Sequence, residues 1–128
     1  MPKILIADDS RFQREVLASF LKPKGFEAVF AVDALQAWMT ALRSNPQLIL
    51  LDINMPGGTG MEVLKRLRMS TKTRHIPVVV VSGEESPETE STVRGLGAVD
   101  YLRKPVEEDQ LCAAVERALH PLANVAVQ

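Results

Sequence analysis

Five short apolar runs, separated by segments of helical spacing, constrain this chain more than any other feature. The runs are Ile4 to Ala7, Phe26 to Ala31, Leu48 to Leu51, Ile76 to Val81 and Val99 to Leu102. Between them, apolar residues recur at helical intervals: Phe12, Val16 and Phe20; then Leu35, Trp38, Met39 and Leu42. The last segment repeats the pattern with Leu111, Ala114, Val115, Ala118 and Leu119. These stripes, Trp38 included, are expected to face the core. Ser10 with Gln13, Asp33 with Gln36 and Thr59 with Glu62 have the spacing of a reciprocal helix N-cap. Ser86 precedes Pro87, a residue whose fixed φ suits the first helical turn. The order is (βα)5, which predicts a parallel sheet with right-handed crossovers and helices on both faces.

Runs 1, 3 and 4 are continuously apolar, as strands covered on both faces are. Charges enter or flank runs 2 and 5 (Glu27, Asp100, Arg103), which edge strands tolerate. The expected fold is therefore α/β, a doubly wound five-stranded parallel sheet of flavodoxin-like order 2-1-3-4-5. With 128 residues the chain fits one domain, expected over residues 1–120, with 121–128 as a tail or the start of a linker.

Composition narrows the function. Fifteen basic and 16 acidic residues leave a net charge of −1, with no footprint for nucleic acid or a membrane surface. The single Cys112 excludes an internal disulfide and a Cys-paired zinc site. No apolar run approaches membrane-spanning length, and Met1-Pro2-Lys3 leads straight into a strand rather than a signal peptide. A cytoplasmic domain is expected.

Ligands of open α/β sheets bind beyond the carboxyl ends of the strands. Run 1 ends there in Asp8-Asp9, run 3 in Asp52, run 4 in Ser82-Gly83 and run 5 in Lys104-Pro105. Carboxylates about 5 Å apart repel by roughly 3 kcal/mol per pair at an effective dielectric of about 20, so joint ionisation needs a cation. An oxygen-only donor set without Cys or His suits Mg²⁺. Lys104 adds a compact charge fit for a phosphoryl group, the Ser82 hydroxyl can donate to another oxygen, and an Asp carboxylate is a credible nucleophile.

At these positions the chain resembles the receiver domains of two-component response regulators, over about residues 3–120. Asp8-Asp9 resembles the acidic pair, and Asp52-Ile53-Asn54-Met55-Pro56, closed by Gly60, the phosphoacceptor segment. Ser82-Gly83 is similar to the Ser/Thr-then-small pair, Lys104-Pro105 to the lysine and its proline, and Tyr101 to the aromatic switch position. The resemblance implies that Asp52 accepts a phosphoryl group from a sensor histidine kinase, a phosphotransfer protein or acetyl phosphate. It implies Mg²⁺ held by Asp9, Asp52 and the Asn54 backbone carbonyl, with Asp8 assisting, and phosphoryl oxygens held by Ser82 and Lys104. Movement of Ser82 would let Tyr101 turn inward and remodel the face of helix 4, strand 5 and helix 5. Asn54 and Glu84 match positions that tune hydrolysis of the phosphoryl group, so the protein would act as a slowly self-dephosphorylating switch. The output, whether a target protein or a fused domain, is unnamed by the sequence, and no direct nucleic-acid contact is expected of this domain.

Three departures stand beside the resemblance: Ala34 where Gly is frequent, Gln47 after Pro46 where Asp is, and Val106 where Phe is. Two other readings use the same fold or chemistry. A haloacid-dehalogenase-like phosphatase also employs an Asp nucleophile with Mg²⁺, but wants a second Asp where this chain has Asn54. A flavodoxin-like cofactor binder wants a Ser/Thr/Gly-rich first loop, where this chain has Asp8-Asp9-Ser10.

Overall fold

The computed structural model describes residues 1–57, 59–83 and 86–121. Strands β1 (Lys3–Ala7), β2 (Glu27–Ala31), β3 (Leu48–Leu51), β4 (Val78–Ser82) and β5 (Asp100–Arg103) form one parallel sheet in the order β2-β1-β3-β4-β5. Helices α1 (Arg11–Leu21), α2 (Ala34–Ser44), α3 (Gly60–Met69), α4 (Pro87–Gly95) and α5 (Glu108–Leu119) connect and cover it. The expected class, edges and strand order are all observed.

Because side chains alternate across a strand, each central strand feeds two cores. Leu5, Ile49, Leu51, Val78 and Val80 point to the face covered by α2, α3 and α4. Ile4, Ile6, Leu48, Leu50, Val79 and Val81 point to the face covered by α1 and α5. Helix starts fall where the caps predict. Ser10 Oγ accepts from the Gln13 amide, Asp33 Oδ1 from Gln36, Thr59 Oγ1 from Glu62 and Ser86 Oγ from Thr89.

Two helical stripes differ from expectation. In α1, Leu17 and Leu21 are buried, whereas Phe12 is 70% exposed. A spacing of four residues advances about 40° around a helix, so Phe12 lies about 80° from Phe20 and leaves the sheet. In α2 the buried residues are Ala34, Ala37 and Ala41, while Leu35, Met39 and Leu42 are exposed and Trp38 is half-buried. The small side chains let the helix settle close to the sheet. Two smaller offsets concern strands. Pro77 has no N–H to give to the ladder, so β4 begins at Val78, although the Pro77 carbonyl still accepts from Ile49. Val99 precedes β5 with its side chain exposed, and its amide donates to Val78.

The α4 helix is lightly held: Val93 alone among its residues is buried, and Leu96 caps its end. Asp100, opening β5, pairs with Arg94 of α4 and with Arg117 of α5, both at 3.2 Å, and Arg94 also pairs with Glu90. No helix among the described residues is long and apolar enough to cross a membrane.

Candidate functional site

The carboxyl rim of the sheet is built by backbone bonds that continue the ladder one residue past each strand. The Asp8 amide donates to Ala31, Asp52 to Ala7, and Lys104 to the Ser82 carbonyl, at 2.8–3.0 Å. These bonds fix three of the candidate site residues at the strand ends. Just beyond β3, Asp52 Oδ1 accepts from the Asn54 amide at 3.0 Å, and the Gly60 amide returns to the Ile53 carbonyl at 3.0 Å. That second bond closes the loop onto the start of α3. Asp8 is held at both ends: its Oδ1 accepts from the Ser10 amide, and its carbonyl accepts from the Arg14 guanidinium. Arg14, whose guanidinium also lies over the Phe30 ring, is a positioning residue that sequence reasoning missed. The available signal was a basic residue one turn into the helix that follows the acidic pair.

Carboxylate oxygens of Asp8, Asp9 and Asp52 all lie within 4.8 Å of one another. Asp8 and Asp52 are 2% and 5% exposed, and Asp9 is open to solvent. Lys104 Nζ sits 2.8 Å from Asp8 Oδ2 and 3.3 Å from Asp52 Oδ2, although β3 and β4 separate β5 from β1, and β4 separates it from β3. The Asp8 contact is an ion pair without good hydrogen-bond alignment, so Oδ2 keeps unused acceptor capacity. The lysine side chain is itself largely covered rather than exposed. The donor set is hard, anionic and oxygen-only, with one open carboxylate, and fits a small divalent cation such as Mg²⁺.

Electrostatics at the site are strained. Burial pushes the Asp52 carboxyl above its ordinary value; the Asn54 amide and Lys104 oppose this, and the Asp8 charge adds to it. Burial disfavours the Lys104 ammonium, but the Asp8 and Asp52 carboxylates outweigh it and its pKa rises. A carboxyl raised in the folded state contributes stability that is present below its unfolded pKa and lost as pH rises through the folded one. The ionised Asp52 therefore destabilises the metal-free fold near neutral pH. Asp52→Asn is expected to be more stable than wild type in urea at pH 7 with chelator, with the gap shrinking as pH falls toward the carboxylate range. An equal or lower midpoint for the variant at pH 7 contradicts this reading.

Ser82 is fully buried at the end of β4, opposite Arg103 and bonded through its carbonyl to Lys104. Tyr101 is half-buried on the face of α4 and packs against the same core as Val93. Asn54 is exposed beside Asp52. Glu84, the second expected tuning residue, lies outside the described residues. Away from the rim, burial raises the Cys112 thiol, and its Sγ lies 3.8 Å from the Phe20 carbonyl.

Comparison with known proteins agrees with this geometry. Residues 4–116 match the family described as response regulator receiver domain. The chain is 37% identical to the phosphate regulon transcriptional regulatory protein PhoB of Escherichia coli (strain K12), with 98% of the chain and 55% of that protein covered. It thus spans about half the length of the PhoB relatives it matches. It is 38% identical to the two-component response regulator ORR11 of Oryza sativa subsp. indica, covering 92% of the chain and 81% of that protein. Among solved structures, the chemotaxis protein CheY4 of Vibrio cholerae superposes with a TM-score of 0.86 at 32% identity, covering 93% of this chain and 99% of that one. The chain belongs to the response regulator receiver domain family of two-component systems.

Proposed function

We propose that this domain, taken as residues 1–120 with a tail after it, is a phosphorylatable switch in which Asp52 is the phosphoacceptor. The observation that carries the reading is the buried Asp52 carboxylate, set among Asp8, Asp9 and Lys104 on the carboxyl rim. An Asp52 oxygen attacks the phosphorus of a phosphohistidine on a sensor kinase or phosphotransfer protein, or of acetyl phosphate. The new P–O bond forms as the P–N or P–O bond of the donor breaks, and the bonding pair leaves with imidazole or acetate. Asp8, Asp9, Asp52 and the Asn54 carbonyl would hold Mg²⁺, which when bound neutralises charge on the transferring oxygens. Lys104 then exchanges its carboxylate partners for phosphoryl oxygens, and the Ser82 hydroxyl donates to another. Hydrolysis by water, tuned by Asn54 and Glu84, resets the switch.

The output would be read from α4, β5 and α5. Ser82 drawn toward the phosphoryl group leaves room for Tyr101 to turn inward, and α4, anchored by little more than Val93, is the element free to follow. The domain is a cytoplasmic signalling part in this reading, and its readout a protein surface rather than DNA. The enzyme alternative, an aspartyl phosphatase, has nothing on the rim in the place of a second acid, since Asn54 stands two residues after Asp52. The test is intact-mass labelling by acetyl phosphate with Mg²⁺ or chelator, together with hydrogen exchange under beryllofluoride. Labelling that ignores chelation, or α4 protection that never changes, overturns the proposal.

Lys104 gives a separate prediction. Its removal leaves Asp8 and Asp52 facing each other without their cation. Breaking one partner out of a largely buried pair costs about 3–5 kcal/mol when burial is complete, and about half that is expected here because Lys104 retains some solvent contact. Lys104→Ala should therefore lower the metal-free midpoint in urea, and millimolar Mg²⁺ should restore much of the loss. A variant as stable as wild type in chelator counts against the ion pairs.

A further inference from the structure

The apolar stripe of α2 that fails to enter the core is unaccounted for by the switch. Leu35 is 63% exposed, Met39 and Leu42 more than a third, and Met69 at the end of α3 is 85% exposed. Leu35, Trp38, Val63 and Met69 line a groove of about 400 Å³ between α2 and α3. Contiguous exposed apolar surface of this kind marks an interaction site more often than chance placement. The charges lining it are mixed but net basic, Lys65 and Arg66 against Glu62. Arg43, Lys65 and Arg66 are exposed on these two helices against the single acid Glu62. None of the three cations pairs with a carboxylate among the described residues, and Arg66 instead lies over the Trp38 ring at 5.0 Å. The chain as a whole carries −1, so this face runs against the average.

We propose that the α2–α3 groove docks an amphipathic helix with acidic flanks, supplied by a partner protein. Leu35 lines the groove, and the exposed Met39 and Leu42 continue its stripe along α2 beyond it. From Leu35 to Leu42 this runs about 10 Å at about 1.5 Å per residue, two turns, which matches anchors at i, i+3 or i+4, and i+7. Acidic flanks would neutralise Arg43, Lys65 and Arg66, and an apolar anchor would cover the open side of Trp38. A second copy of this chain is a poor occupant. Its acidic helix faces, at the starts of α4 and α5, carry no large exposed apolar residue. An anionic membrane would meet the same cations and the protruding Leu35 and Met69 but would leave the recessed Trp38 and Val63 uncovered, which a helix seated in the groove covers.

Trp38 is the only tryptophan in the chain and so reports on the groove directly. The probe is a synthetic helical peptide with leucines at i, i+4 and i+7 and glutamates beside them, titrated against the full chain. Controls are the same peptide with lysines for glutamates, vesicles containing phosphatidylglycerol, and the protein alone in sedimentation. The acidic peptide should perturb Trp38 emission and amide resonances of α2 and α3, and bind more weakly in high salt. Two rim charges at about 0.7 kcal/mol each correspond to about tenfold, so Arg43→Glu with Lys65→Glu should weaken binding of the labelled peptide by about that factor. Leu35→Gln with Met69→Gln should abolish it while leaving the urea midpoint and acetyl phosphate labelling unchanged. Equal binding of the lysine peptide, perturbation elsewhere than α2 and α3, vesicle binding without peptide binding, or self-association lost in Leu35→Gln would each overturn the proposal.

Discussion

Asp52→Asn is expected to abolish covalent labelling by acetyl phosphate while the protein remains folded. The substitution is nearly isosteric and keeps an acceptor oxygen for the Asn54 amide, so the loop after β3 retains its closing bonds. What it removes is the proposed nucleophile, since an amide oxygen has neither the charge nor the basicity to attack phosphorus. Among the described residues no other acid takes the same place. Asp8 is engaged by Ser10 and Lys104, and Asp9 is solvent-exposed rather than enclosed at the end of the central strand. The expected fall in labelling is at least about a hundredfold, the scale of losing a covalent nucleophile. The measurement is the mass of the intact chain after incubation with acetyl phosphate and Mg²⁺. A variant that labels as fast as wild type places the phosphoacceptor elsewhere.

The second large effect concerns a residue with no side chain. A Cβ at Gly60 would fall on the Ile53 Cα and within 2.7 Å of the Asp52 carbonyl oxygen. Both obstacles are backbone, so no rotamer change relieves them. Gly60→Ala must push the Asp52–Ile53 segment away from α3, which stretches the Gly60-to-Ile53 hydrogen bond and shifts the Asp52 carboxylate with it. Overpacking of this kind costs about 1–3 kcal/mol, and a misplaced Asp52 carboxylate is expected to slow labelling in addition. The expected result is a lower urea midpoint together with slower labelling than the stability loss alone explains. Gly60→Ser should be no better. A Gly60→Ala protein with wild-type midpoint and labelling rate contradicts the described approach of α3 to the loop.

The contrast between these two residues shows what the sequence makes legible. Asp52 announces itself because a charged residue ending a fully apolar run must lie at a strand terminus, and in a parallel sheet every terminus of one kind lies on one rim. The same logic located Asp8, Asp9, Ser82 and Lys104. Their mutual geometry was not legible, because the Lys104–Asp8 ion pair crosses two intervening strands that no local pattern spans. The α2 stripe failed for another reason. Ala34, Ala37 and Ala41 have the same spacing as Leu35, Trp38 and Leu42, shifted by one residue. Periodicity accepts either, and a weighting by hydrophobicity selects the larger side chains. Packing selects the smaller ones, because alanines bring the helix axis close to the sheet. Phe12 misleads in a similar way, as a large apolar residue at the first turn of α1 on the side of the helix away from the buried Leu17 and Leu21.

Asp100 joins helices that flank β5 on opposite sides of the sheet. Its two carboxylate oxygens are shared between Arg94 of α4 and Arg117 of α5, both guanidinium groups being about half in solvent. Exposed pairs of this type are worth about 0.2–1 kcal/mol each and weaken as the screening length shrinks to about 8 Å at physiological salt. A rearrangement of α4 has to give up the Arg94 half of this arrangement before it can proceed. The resting position of α4 is therefore set partly by the surrounding electrolyte, and under the proposed switch a rise in ionic strength would lower the electrostatic cost of moving it.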